Sequence, residues 1–301
     1  MRRLLGTLFL AATSLSAYEY ALKPVRVTSD VHCFFGKPEI MDKTNNGNIV
    51  NSCYIDAGEG YVVVDTGPSY AYAESAYKAM KKIKSLPVKL VINTHIHDDH
   101  WLGNNYFTEQ GIRVLGTDDF KVSADMSEPT RMQTYITPQA YAKTKPTLPT
   151  EMISDDMNLT IGNQKLELKI AKHKAHTAKD MMVYLPKSNV VIAADLVFND
   201  RLPSVRGGDI NGWIAALDDV DGLKAAHVVG GHGNRTDKDA ARMTREYFTQ
   251  MRSEIRAAIA EGLSIDETTK KVTMDQYKKY KLYEGTHRQN VEASYRVLEW
   301  E

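Results

Sequence analysis

Residues 95–100 constrain this chain more than any other feature. They read His95-Ile96-His97-Asp98-Asp99-His100 and, after Thr94, follow the apolar stretch at 89–93. Three histidines and two aspartates packed into six positions at a strand end are poor material for a hydrophobic core. Imidazole nitrogen and carboxylate oxygen are good ligands for zinc and related divalent cations. In a loop, His95 and His97 can turn toward one cation while Asp99 and His100 turn toward a second. The competing reading is a polar loop of solvated histidines.

Three further candidates recur downstream, and they decide between the two readings. His176 sits in Ala175-His176-Thr177 after the strand-like stretch 165–171, with Asp180 close behind. Asp195 ends the apolar run at 190–194. His232 lies in Gly230-Gly231-His232-Gly233 after 227–230, where glycines let the backbone turn sharply and come close to a metal. Singly, each could be a surface or satisfied buried residue. Together, each stands at the end of an apolar strand, where a layered sheet can gather them on one rim.

Short runs rich in Val and Ile predict strands over 49–55, 61–65, 89–93, 112–116, 165–171, 180–185, 190–194 and 227–230. Helical patterns cover 69–84, 118–126, 212–220 and 237–261, with Asp209 or Asn211 placed to cap the third and Gly262 to end the last. Residues 128–150 carry Pro129, Pro138, Pro146 and Pro149 and read as an irregular or helical insertion over one end of the domain, a usual source of pocket walls. This order suggests two sheets packed face to face with helices outside.

The N-terminus differs from the rest. Arg2 and Arg3 precede an apolar run, and small residues follow at Ser14, Ser16 and Ala17, the layout of a secretory signal peptide over 1–17. The run is too short for a permanent membrane span. The remainder, 18–301, reads as one domain with a helical C-terminal extension, exported to a periplasm or secreted. The alternative is an anchor or a buried helix. Lys and Arg number 38, as do Asp and Glu, so no basic excess points to nucleic acid or to an anionic membrane. The partner expected is a small-molecule substrate, and the sequence does not set the oligomeric state. Cys33 and Cys53 are the two cysteines; a disulfide and two separate buried thiols are both open, because sequence supplies no Cα distance.

As a set, H-x-H-x-D-H at 95–100, His-Thr at 176–177, Ala-Asp at 194–195, Gly-His-Gly at 231–233 and Val64-Asp65-Thr66-Gly67 resemble the metallo-β-lactamase superfamily. The resemblance covers nearly all of the chain after residue 17. It implies an α+β fold, a four-layered αββα sandwich with metals on one edge. It also implies that His95, His97 and His176 hold one metal, that Asp99, His100 and His232 hold the other, and that Asp195 bridges. One large class of zinc β-lactamases carries Cys in place of Asp195, and another lacks a bridging carboxylate there. Asp at this position resembles the glyoxalase II-like and other hydrolytic branches, which counts against β-lactams as the native substrate. A closer resemblance is to exported zinc metallohydrolases associated with sulfur-oxidation and quinoprotein systems. It is carried by Asp195-Leu196-Val197-Phe198, Gly207-Gly208-Asp209, residues 212–218, and His287-Arg288-Gln289-Asn290-Val291 with Tyr295.

The cofactor this implies is two Zn2+ per chain, with iron or manganese as substitutes. Two such ions can share a hydroxide, each lowering the pKa of the bound water, and attack an ester, thioester or amide, β-lactams among them. Asp99 is the candidate catalytic group, able to ligate the second zinc and to orient the nucleophile. Asp65 is expected to hold a ligand imidazole by its far N–H. The runner-up reading is a mononuclear iron oxidoreductase resembling persulfide dioxygenases; a third is metal binding without turnover. His173 and His227 read as surface and structural residues, and His287 as a residue that could close the pocket. Phe35, Trp101, Tyr106 and Trp213 fit pocket wall or core equally well.

Overall fold

The computed structural model describes residues 18–301; the signal-peptide reading of 1–17 lies outside the described residues. Seven strands form the first sheet in sequence order: β1 (Val25–Arg26), β2 (Val31–Phe34), β3 (Ser52–Asp56), β4 (Tyr61–Val64), β5 (Val88–Ile92), β6 (Val114–Thr117) and β7 (Glu151–Ile153). The first four run antiparallel and the last four parallel. The second sheet holds β8 (Met157–Ile161), β9 (Gln164–Ile170), β10 (Met181–Leu185), β11 (Val190–Phe198) and β12 (His227–His232), antiparallel except for the β11–β12 pair.

Successive strand side chains face opposite ways, so each sheet buries two faces. Ile55, Val62, Val64, Leu90 and Ile92 of the first sheet meet Leu166, Leu168, Val183, Val190 and Ile192 of the second in one shared core. Tyr54, Val63 and Val91 point the other way, into a core with Tyr72, Met80, Trp101 and Phe107 from the helical layer. Val191, Ala193 and Val197 pack outward against Trp213, Leu217, Tyr247 and Phe248 of the second helical layer. The result is the αββα sandwich. Burying one such large apolar side chain stabilises by roughly 1.5–3 kcal/mol, and continuous apolar runs such as Val62-Val63-Val64 form because both of their faces need it.

The helices follow their caps. Tyr70–Ile83 begins where the Ser69 hydroxyl accepts from Tyr72 N, and Ile210–Gly222 where Asp209 accepts from Asn211 and Gly212 N. The helix expected at 237–261 starts later, at Arg242, because Asp237 is taken up in a turn, accepting from Arg235 and from Asp239 N. The helix expected over 118–126 is a single turn, Phe120–Ser123. Residues 128–150 contain two short helices, Arg131–Tyr135 and Pro138–Tyr141. Cys33 and Cys53 stand directly opposite on β2 and β3, with Cα atoms 4.1 Å apart, and form a disulfide. Among the described residues no helix is long and apolar enough to cross a membrane.

Candidate metal centre

All seven expected ligands meet on one edge, where strands of both sheets end. β5 delivers the loop with His95 and His97 and the short helix Asp98–Trp101, which carries Asp99 and His100. His176 lies between β9 and β10, and His232 ends β12. Asp195 stands inside β11 rather than at a strand end, since that strand runs on to Phe198. It faces the site because the pairing with β12 slips on either side of Ala194, whose φ of 44° is left-handed. Gly231 makes room: a Cβ there would lie 1.8 Å from Asp195 Oδ1.

Neighbours fix how each imidazole presents its nitrogens. Asp65 Oδ2 lies 2.7 Å from His100 Nδ1 and also accepts from the Thr94 hydroxyl at 2.8 Å. That hydroxyl, its proton given to Asp65, can accept from His95 Nδ1 at 3.1 Å. The Ile49 carbonyl accepts from His232 Nδ1 at 2.6 Å. Each ring therefore keeps its proton on Nδ1 and aims the Nε2 lone pair inward. Asp65 is in the position expected of it, with a left-handed φ of 59°.

The inward atoms crowd together. His95, His97, His176 and Asp195 offer ligand atoms all within 4.8 Å of one another, and so do Asp99, His100 and His232. His176 Nε2 is 2.8 Å from His97 Nδ1. Asp195 lies 3.1 Å from Nε2 of His100 and of His176, 3.3 Å from His232 and 3.7 Å from His95, touching both groups. His95 Nε2, His100 Nε2 and Asp195 Oδ1 are buried without a hydrogen-bond partner. Such orphaned polar atoms are costly unless something binds them, and a cation fits this nitrogen and carboxylate set better than water does.

Electrostatics agree. Burial and then His176 push His97 down to about 3, and burial also lowers His95 and His232. Neutral imidazoles are what a cation requires. Burial works against His100 too, but Asp195, Asp65 and Asp99 prevail and raise it. For Asp99, His100, Arg131 and His232 outweigh the burial penalty and hold the carboxyl well below its usual range.

The sequence reading missed two arginines. Arg131, from the insertion, donates from Nε to Asp98 at 2.9 Å and from Nη2 to Asp99 at 3.1 Å. Arg201 lines a cavity of about 200 Å³ over the centre, together with His97, Asp99, Phe198, Arg206 and Leu282. A lone arginine in a polar loop carries no spacing signal. Other expectations resolve as core. Trp101 is buried and donates to Ile96 O, while Trp213 packs on His176 with ring centres 4.8 Å apart. Phe35 joins the inter-sheet core and Tyr106 the first helical layer. His287 does not close the pocket: it bonds Tyr247 and the Val272 carbonyl in the outer helical layer. His173 is exposed and His227 pairs with Val190 at the start of β12.

Comparison with known proteins agrees with this geometry. The chain is 25% identical over 262 residues to the linear primary-alkylsulfatase of a Pseudomonas strain, covering 73% of this chain and 49% of that protein, so it spans about half of that relative's length. It is 24% identical over 187 residues to the metallo-β-lactamase IND-1 of Chryseobacterium indologenes, covering 60% and 71%. A metallo-β-lactamase from Pontibacter korlensis superposes with a TM-score of 0.60 at 23% identity, over 76% of this chain and 99% of that one. FIM-1 from Pseudomonas aeruginosa, in a mono-zinc form, also superposes at 0.60, with 18% identity, over 77% and 96%. The family model for the metallo-β-lactamase superfamily matches residues 45–232, which include all seven inward-facing side chains. A sandwich of this topology, with this histidine and aspartate edge inside the matched span, makes the chain a member of the metallo-β-lactamase superfamily.

Proposed function

We propose that the chain is a metal-dependent hydrolase that holds two divalent cations, zinc foremost, and cleaves an ester, thioester or amide bond. The observation behind this reading is the convergence of seven side chains whose inward atoms find little to bind except one another. His95, His97 and His176 would hold one cation and Asp99, His100 and His232 the other, with Asp195 in reach of both. Bound there, the cations would supply Lewis acidity and acidify a water enough for it to attack at neutral pH.

The chain's own groups do the positioning. Asp65, Thr94 and the Ile49 carbonyl hold three imidazoles in one tautomer and orientation. Asp99 turns Oδ2 toward His100 and His232, and Arg131 grips its Oδ1. Arg131 thereby keeps this carboxylate ionised and immobile, able to orient a water and take its proton. Phe198, stacked on His232 at 5.0 Å, shields the imidazole from bulk water. The alkylsulfatase relationship adds sulfate esters to the substrates worth assaying.

The test is metal analysis of the reconstituted protein with a hydrolysis panel of carboxylate esters, thioesters, β-lactams and alkyl sulfates. Two equivalents of zinc and turnover of one bond class are expected. One iron with oxygen consumption, or full zinc loading without hydrolysis of any class, would overturn the reading. Export fits the disulfide, which persists in oxidising compartments. Mature protein recovered from the periplasm should begin near Tyr18; a full-length cytoplasmic chain would contradict that.

A further inference from the structure

The cavity over the metal centre receives two guanidiniums that, among the described residues, no carboxylate pairs. Arg131 is different, being held by Asp98 and Asp99. Arg201 gives one hydrogen bond, from Nη1 to the Glu39 carbonyl at 3.0 Å, and its Nε is buried without a partner. Its guanidinium lies 5.6 Å over the Phe198 ring, which stacks on His232. Arg206 lines the same cavity from the exposed side. A buried, unmet donor on a cation is costly, and an oxyanion, which supplies both an acceptor and a negative charge, is the ligand that satisfies both deficits.

What holds these arginines in place comes from the C-terminal extension, outside the 45–232 family match. Asn290, in the helix Tyr283–Leu298, accepts from Val205 N at 2.8 Å and donates to Pro203 O at 2.8 Å; its amide also reaches the Tyr247 hydroxyl at 3.0 Å. Lys281 pairs with the same loop: Leu202 N donates to Lys281 O, and Lys281 N to Asp200 O. Leu282, left-handed at φ 66°, then enters the cavity wall. Ile40, 67% exposed, lines the same cavity. The lining therefore brings cationic and apolar side chains together, Ile40 and Leu282 following directly on Glu39 and Lys281, the residues that hold Arg201.

We propose that residues 201–206, clamped by Asn290, form an oxyanion-recognising wall, so that the substrate carries a carboxylate, sulfate or phosphate group set apart from the scissile bond by the width of Phe198, with an apolar portion against Ile40 and Leu282. This rests on the hydrolase reading for what happens next, but not for the binding itself. Asn290 is a positioning residue that acts through Arg201.

The test is calorimetric titration of the full chain, zinc-loaded and metal-stripped, with octanoate, octyl sulfonate and octyl phosphonate, and with neutral octyl glucoside. These anions have no cleavable bond of the proposed classes. In both forms at least one anion should bind about tenfold or more tighter than the neutral compound, and the tightest identifies the oxyanion class. Arg201→Gln should remove that preference. Asn290→Asp is nearly isosteric and can still accept from Val205 N, but it cannot donate to Pro203 O; it should weaken anion binding about threefold or more while leaving glucoside binding unchanged. Arg242→Gln, on the outer surface beside Asp239, is the control and should change nothing. Equal binding of anions and the neutral compound, or an undiminished preference in Arg201→Gln, would overturn the proposal. A lower melting temperature with an intact preference in Asn290→Asp would reduce that residue to a structural role and overturn the clamp. Anion binding without hydrolysis of any substrate class would sink the hydrolase reading alone.

Discussion

Asp195 carries the most at the scale of single residues. Its carboxylate lies within 3.1–3.7 Å of four imidazole nitrogens drawn from both ligand groups. If two cations are held as proposed, Asp195→Ala removes the anion between them and leaves their mutual repulsion unscreened. The second site should weaken most, and kcat should fall further than KM rises, because the attacking water loses its fixed place. Asp195→Cys supplies a sulfur suited to one zinc and poorly suited to bridging. Metal stoichiometry of the two purified variants is the check, with fewer than two equivalents expected in each; two full equivalents in Asp195→Ala would remove the bridging role. The seven side chains that converge on this edge were legible because few residue types bind zinc and their clustering in the sequence has no packing explanation. Arg131 and Arg201 were not, because an arginine's role depends on what the fold brings beside it. Asp98 and Asp99 come to Arg131 from more than thirty positions away.

At the scale of elements, the β11–β12 pair is where backbone and chemistry meet. Ala194 occupies a left-handed conformation that costs an L-residue roughly 1–2 kcal/mol, and the pairing slips around it so that Asp195 turns into the site. Gly231 on β12 leaves only hydrogen where that carboxylate sits. Gly231→Ala should therefore push Asp195 aside and lower zinc occupancy, although both residues are small and the core is untouched. Metal content and near-ultraviolet circular dichroism together check this: normal metal content in a folded variant would show that the strand can shift to absorb a methyl group. The apolar run at 190–194 announced β11 but not its continuation to Phe198, since Asp195 reads as an interruption until its partners are known. The short helix at Phe120–Ser123 shows the converse. Residues 118–126 have a helical pattern, yet helices this short depend on packing, and Val122 is 87% exposed.

For the whole molecule, proton uptake follows from the buried histidines. His97 falls to about 3 from the ordinary 6.5, and His95 and His232 are lowered too. Below about pH 6.5 the unfolded chain binds protons that the folded chain refuses, so the fold loses stability as pH drops through 6.5 toward 3. His100, raised by its carboxylates, favours the fold in acid, but it is one group against five, because burial lowers His32 and His287 as well. The melting temperature of the metal-stripped protein should fall between pH 7.5 and 5, and zinc should raise it more at pH 7.5 than at 5.5, because protons compete for the same nitrogens. A melting temperature that is flat or rises toward pH 5 would contradict this account. The four-layer arrangement was readable from strand order and apolar runs. The contribution of the C-terminal segment to the cavity was not, since Asn290 acts through contacts 85 and 87 residues distant in sequence and Leu282 through the cavity it lines.

Each ligand group straddles the two sheets. His95 and His97 hang from the first sheet, and His176 and Asp195 belong to the second; Asp99 and His100 come from the first, and His232 from the second. A half-made molecule therefore owns only part of each group, His95 and His97 of one and Asp99 and His100 of the other. As the chain emerges, residues 95–100 must wait for Asp195 before the first constellation closes and for His232 before the second, and the two sheets must already lie together when each does. Metal capture is then a late event in maturation, a signal that docking is finished, and a chain translocated unfolded would take its metal from the compartment it arrives in rather than from the one it left.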